Sequence, residues 1–131
     1  MKYLLLVGHA ALAQGIESAM AMLLGSRSFV VACGMEDGMT PDLFQETLAQ
    51  KIDYVTEQDE VLVLGDIAGG SPLKSALAVL GDKGLGERVR AFGGANLAMA
   101  ISAVMGIDDG LDLDSIRDAM LADGSQAVKE Q

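Results

Sequence analysis

A histidine, an aspartate and a glycine-rich run ending in Ser-Pro are the residues of this chain whose types and spacing could do chemistry. The only histidine, His9, follows the apolar run Lys2-Tyr-Leu-Leu-Leu-Val7 and a glycine, Gly8. Asp66 follows a second apolar run, Val61-Leu-Val-Leu64, through Gly65, and leads into Ala68-Gly69-Gly70-Ser71-Pro72. Short apolar runs of this kind read as buried parallel strands, and in open α/β sheets ligand chemistry collects outside the carboxyl ends of strands. One imidazole, one carboxylate and one glycine-rich helix start are thus predicted at a single rim. That combination suits a histidine that accepts and passes on a phosphoryl group.

Such a histidine needs one ring nitrogen free and nucleophilic near neutral pH, with the other held by an acceptor that fixes the tautomer. Asp66 is the candidate acceptor, and its carboxylate would also stabilise the positive charge the ring gains. An Asp after a strand serves as often as a helix cap or turn former, and the sequence leaves both readings open. A lone histidine is commonly one that hydrogen-bonds a carbonyl. The strand-end position and Gly8, which permits close approach of backbone or ligand, favour a working role for His9. A helix starting at Ser71-Pro72 would aim unpaired N–H groups and the positive end of its dipole at the rim, so Gly69, Gly70 and Ser71 are the candidate phosphate-binding residues. An ordinary Ser-Pro cap is the competing reading. The stretch is neither a Walker loop nor a G-x-G-x-x-G fingerprint. Asn96, after Gly93-Gly94-Ala95, either closes the same pocket with Gly8 or caps the next helix. Lys74 either assists a phosphate or is solvated.

The elements that must position these residues alternate. Strands are predicted at Lys2–Val7, Phe29–Cys33, Val61–Leu64 and Arg88–Phe92. A first helix carries Leu12, Ile16, Ala19, Met20 and Leu23 and closes at Gly25. Thr40-Pro41 caps a second, whose apolar face continues through Phe44, Leu48, Ile52 and Val55. Ser71-Pro72 opens a third with Leu73, Leu77 and Leu80. A fourth runs from about Leu97 to Met105, and Asp114 caps a last one with Ile116, Met120 and Leu121. This order implies an α/β fold: a doubly wound, mainly parallel sheet with helices on both faces, a three-layer sandwich. The expectation is one domain over residues 1–131, with a core to about 122 and a polar tail.

Composition narrows the function classes. A formal charge of −10 argues against nucleic acid, which needs clustered Lys and Arg, and favours a partner carrying positive charge. No apolar stretch spans a bilayer, because glycines, His9 and Gln14 interrupt the best one. Met1-Lys2-Tyr3-Leu4 resembles a signal peptide start, but cleavage would discard His9 and no small-x-small site follows, so a cytoplasmic chain is expected. The single Cys33 makes neither an intramolecular disulfide nor a metal site and is expected to pack as a small apolar residue. No cofactor or metal is expected. The 8 methionines read as core filler.

Taken together, Leu5-Leu6-Val7-Gly8-His9, Gly65-Asp66-Ile67-Ala68-Gly69-Gly70-Ser71-Pro72 and Gly94-Ala95-Asn96-Leu97 resemble the EIIA component of the mannose-class sugar phosphotransferase system (the mannose, fructose and sorbose family). Order and spacing match to about Met105. The resemblance implies that His9 is phosphorylated by the phosphocarrier HPr and passes the group to a histidine of a cognate EIIB. Asp66 would orient His9, and Ser71 with neighbouring amides would hold the phosphoryl oxygens. It further implies indirect association with the membrane components EIIC and EIID and a homodimer, with Gln126-Ala-Val-Lys129 as an exchanged edge strand. A chain ending at Gln131 fits a separate EIIA without fused EIIB. Ala10 stands where the family usually has Gly, Ala98 where Pro is usual, and Leu73 where an aromatic is frequent. Two neighbouring readings are the phosphotransfer subunit of a dihydroxyacetone kinase, which lacks the full Gly-Gly-Ser-Pro element, and a regulatory module switched by phosphorylation. A nucleotide-binding protein of similar topology would need a phosphate-loop lysine that is absent.

Overall fold

Strands β1 (Lys2–His9), β2 (Val30–Met35), β3 (Glu60–Gly65) and β4 (Val89–Phe92) form one parallel sheet in the order β2-β1-β3-β4, as seen in a computed structural model describing residues 1–131. Each strand is followed by a helix: α1 (Leu12–Leu24), α2 (Pro41–Lys51), α3 (Ser71–Asp82) and α4 (Leu97–Asp108), with α5 (Leu113–Gln126) last. Alternation along the strands sends apolar side chains to both faces. Leu5, Val7, Val61 and Val63 pack with Phe44 and Leu48 of α2 and Ala76, Val79 and Leu80 of α3. Leu4, Leu6, Leu62 and Leu64 pack with Met20 of α1, Ala103 of α4 and Ile116 of α5. This is the expected three-layer sandwich. The chain moves from β1 outward to β2 on one side and then crosses to β3 on the other, so the topological switch point lies between the two central strands β1 and β3. No helix is long and apolar enough to cross a membrane.

Several boundaries differ from the sequence expectation. The ladder continues past Val7 and Cys33, because Gly8 pairs with Gly34 and His9 with Met35; His9 is therefore the last residue of β1, and β2 extends through Gly34 to Met35. Ser71 is not the cap of α3. Gly70 holds that position in an extended conformation, with Ser71 as the first helical residue. Asp112, not Asp114, caps α5, its carboxylate accepting from the Ser115 N–H at 2.7 Å, while Asp114 pairs with Arg90 and Arg117. On α1 the buried residues are Ala13 and Met20, whereas Leu12 and Leu23, on the same broad apolar side, are exposed; spacing marks that side but not which edge of it turns to the sheet. Leu77 and Leu121 are likewise exposed. α5 continues beyond residue 122 because Gly124 packs against Met99, and residues 127–131 form neither helix nor strand in the single chain.

Candidate functional site

The register places Val7 beside Gly65, so the residues just beyond them, Gly8-His9 and Asp66, are brought to the same crevice at the switch point. Asp66 fills it. Its Oδ2 accepts from the backbone N–H of His9 at 2.8 Å and lies 2.8 Å from His9 Nδ1, while Oδ1 accepts from the Ile67 N–H at 2.9 Å. The carboxylate lies close over Gly8, where a Cβ would stand a tight 3.2 Å from it. Asp66 is thus neither cap nor surface turn residue; both of its oxygens are engaged by the rim. Its side chain is 12% exposed, against 50% for the His9 ring.

Burial raises the Asp66 pKa, but the His9 backbone N–H, the His9 ring and the Ile67 N–H together outweigh it and hold the carboxyl below the ordinary range. An ionised carboxylate only accepts, so the proton of a neutral His9 ring must sit on Nδ1. Nε2 is then left with its lone pair, and no group of the chain hydrogen-bonds to it.

The third component lies against the ring. Gly69 adopts φ +74°, a left-handed turn open to glycine, and Gly70 follows so closely that a Cβ on it would lie 3.6 Å from His9 Cε1. Because Gly70 has no side chain to cap α3, the Ser71 and Leu73 N–H groups have no acceptor in the chain, and the exposed Ser71 hydroxyl makes no hydrogen bond. Such a helix start attracts an anion through its N–H groups and dipole. Asn96 takes the other course: its Oδ1 caps α4 through the Met99 N–H at 3.0 Å and its Nδ2 donates to Gly124 O at 3.2 Å, so both ends of the amide are engaged away from the pocket. Lys74 is exposed and forms no ion pair. Cys33 is buried, and burial pushes its thiol pKa up against the opposing charge of Lys51.

What the sequence did not reveal is the support behind Asp66. The loop after β4 donates from Gly94 N–H to Asp66 O at 3.2 Å and from Ala95 N–H to Gly65 O at 3.0 Å. Gly93 passes so near Ala68 that a Cβ would come within 2.4 Å of its Cα. The only outward signal was the Gly93-Gly94 doublet after a strand.

A family model, EIIA-man, described as PTS system fructose IIA component, matches residues 3–121. The chain belongs to this family. As an EIIA-man protein it is a component of a sugar phosphotransferase system. Among solved structures, a phosphotransferase system component EIIA from Streptococcus agalactiae superimposes with a TM-score of 0.85 at 23% identity, over 99% of this chain and 97% of that one. A mannose/sorbose-specific IIA subunit from Enterococcus faecalis gives 0.84 at 26% identity, over 100% and 96%. A PTS IIA protein associated with the fucose utilization operon of Streptococcus pneumoniae gives 0.80 at 21% identity, over 98% and 92%. The fold of this EIIA-man chain is therefore shared almost end to end with these proteins.

Proposed function

We propose that the chain is a phosphohistidine carrier that takes a phosphoryl group from phospho-HPr on His9 and delivers it to a histidine of a cognate EIIB during sugar uptake. The observation that carries this reading is the Asp66 Oδ2 contact to His9 Nδ1 at 2.8 Å, which leaves Nε2 as the nucleophile. The Nε2 lone pair forms the new N–P bond in line as the N–P bond to the donor imidazole breaks. Asp66 offsets the positive charge that develops on the ring. The free N–H groups at the start of α3 and the Ser71 hydroxyl receive the phosphoryl oxygens, with Gly69 and Gly70 giving them room. Positioning and charge stabilisation carry most phosphoryl-transfer catalysis. Return of the group to EIIB uses the same contacts in reverse.

The exposed pair Glu36-Asp37 directly follows Met35, the ladder partner of His9, and with the net charge of −10 suits docking to a basic protein face. In this reading the chain works in the cytoplasm as one domain, meets EIIC and EIID through EIIB, and forms a homodimer in which the segment around 126–129 pairs with the partner copy.

Incubation with HPr, its phosphorylating enzyme and phosphoenolpyruvate, followed by intact-mass analysis, tests the proposal. One acid-labile phosphoryl group, absent in His9→Ala, is the expected result. No gain with active HPr would refute the carrier role and favour a regulatory or divergent relative that takes its phosphoryl group from a different donor.

A further inference from the structure

Ala10 is the only non-glycine residue with a positive φ, +52°, and it directly follows His9. L-residues reach this region at a cost, and such strain persists only where the surroundings hold it. Here the surroundings are β2. The Ala10 N–H donates to Met35 O at 2.8 Å, and the Ala10 carbonyl then turns over Gly34, so that a Cβ on Gly34 would lie 2.1 Å from Ala10 O. The Gln14 amide crosses the same spot, 2.8 and 2.9 Å from that position, but it ends a flexible side chain that can swing aside. The Ala10 carbonyl is backbone and cannot.

From this geometry we infer that Gly34, acting through Ala10, is a positioning residue for His9. Gly34 is glycine so that the left-handed turn at Ala10 can close onto β2, and that closure fixes the exit of the chain from His9 and the direction of its ring toward Asp66. The inference rests on His9 being the phosphoryl acceptor. A side chain at position 34 would push the Ala10 carbonyl back by about 1 Å, and a misplacement of that size costs on the order of 100-fold in rate. The displacement is transmitted at once to His9, which shares a peptide bond with Ala10 and a ladder position with Met35.

The test compares wild type, Gly34→Ala, the double variant Ala10→Gly/Gly34→Ala, and Ala10→Val. NMR ring-nitrogen shifts of His9 report whether Nδ1 still carries the proton shared with Asp66, and single-turnover phosphoryl uptake reports the rate. Gly34→Ala is expected to blur the single-tautomer signature and to lower kcat by roughly 30- to 100-fold with KM for the donor nearly unchanged. The double variant should recover most of this, because glycine at position 10 lets the carbonyl retreat without moving His9. Ala10→Val attacks the same turn from the loop side, since a β-branched residue is an outlier at positive φ, and gives the same loss without touching the sheet. A folded Gly34→Ala or Ala10→Val protein with wild-type ring signals and uptake overturns the inference, as does a double variant no better than Gly34→Ala. The ring signals need no phosphoryl donor, so a wild type that takes nothing from phospho-HPr would sink the carrier reading while the NMR comparison still decides this one.

Discussion

Asp66→Asn is the most discriminating substitution at the site. Three donors converge on two oxygens: the His9 N–H and Nδ1–H on Oδ2, and the Ile67 N–H on Oδ1. An asparagine turned with its oxygen toward His9 keeps the tautomer but sets its NH₂ against the Ile67 N–H and brings no charge. Turned the other way, its NH₂ faces two His9 donors and drives the ring proton onto Nε2, the nucleophile of the proposed carrier. The first orientation sets the smaller loss. A unit charge about 4 Å from the ring charge is worth about 4 kcal/mol at an effective dielectric constant of about 20. The half-exposed ring reduces this to about 2 kcal/mol, a loss of about 30-fold in transfer rate. The second orientation, a wrong tautomer, costs up to about 10⁴-fold in the analogous serine-protease case. Stopped-flow or quench-flow phosphoryl uptake from phospho-HPr, with circular dichroism to establish folding, measures the outcome. A folded Asp66→Asn protein within about threefold of the wild-type rate would refute the tautomer argument, because neither orientation preserves both charge and hydrogen bonds.

Other consequences concern stability. Phe44 is fully buried between α2 and the sheet, and Phe44→Ala should cost about 3–5 kcal/mol, read as a lower urea midpoint at unchanged slope; a loss below about 1 kcal/mol would mean that the α2 layer is loosely packed. At Gly106 a Cβ would stand 2.8 Å from Ile116 Cγ1, so Gly106→Val should lower stability by about 1–3 kcal/mol by prising α4 from α5. An unaltered melting temperature would contradict that close approach. The carboxyl pKa values of Asp59, Asp66 and Asp112 are all held low. For Asp59 and Asp112 the largest cause is a backbone hydrogen bond, from Thr56 and Ser115 respectively; for Asp66 burial opposes the shift and the contacts to His9 and Ile67 overcome it. A lowered folded pKa gives stability that is complete above the unfolded value of about 3.9 and is lost as pH falls through the folded value. Urea midpoints should therefore fall on acidification below about pH 4, less steeply in Asp66→Asn than in wild type; equal slopes would show that Asp66 titrates alike folded and unfolded.

The sequence by itself determined the alternation of strands and helices, because apolar runs such as Leu4–Val7 and Val61–Leu64 have no other way to satisfy two buried faces. It also determined the candidate set. His9, Asp66 and the Gly69-Gly70-Ser71 run stand immediately beyond strands, and parallel strands deliver their carboxyl ends to one rim whatever the details. Local spacing marked the apolar side of α1 but not its buried edge, since Leu12 and Leu23 stay exposed while Ala13 and Met20 go in, and only contacts with the sheet and α4 choose between them. Nor did it decide between cap and ligand for the polar residues at loop ends. Asp66 and Asn96 have the same local signature, a polar residue between a strand and a helix. Asp66 lies at the switch point between β1 and β3, where His9 supplies donors from another strand, while Asn96 faces Met99 and Gly124. The turn at Ala10 depends on Gly34, separated from it by the whole of α1. A contact between residues so far apart along the chain is set by strand register, and register exists only once the sheet has formed.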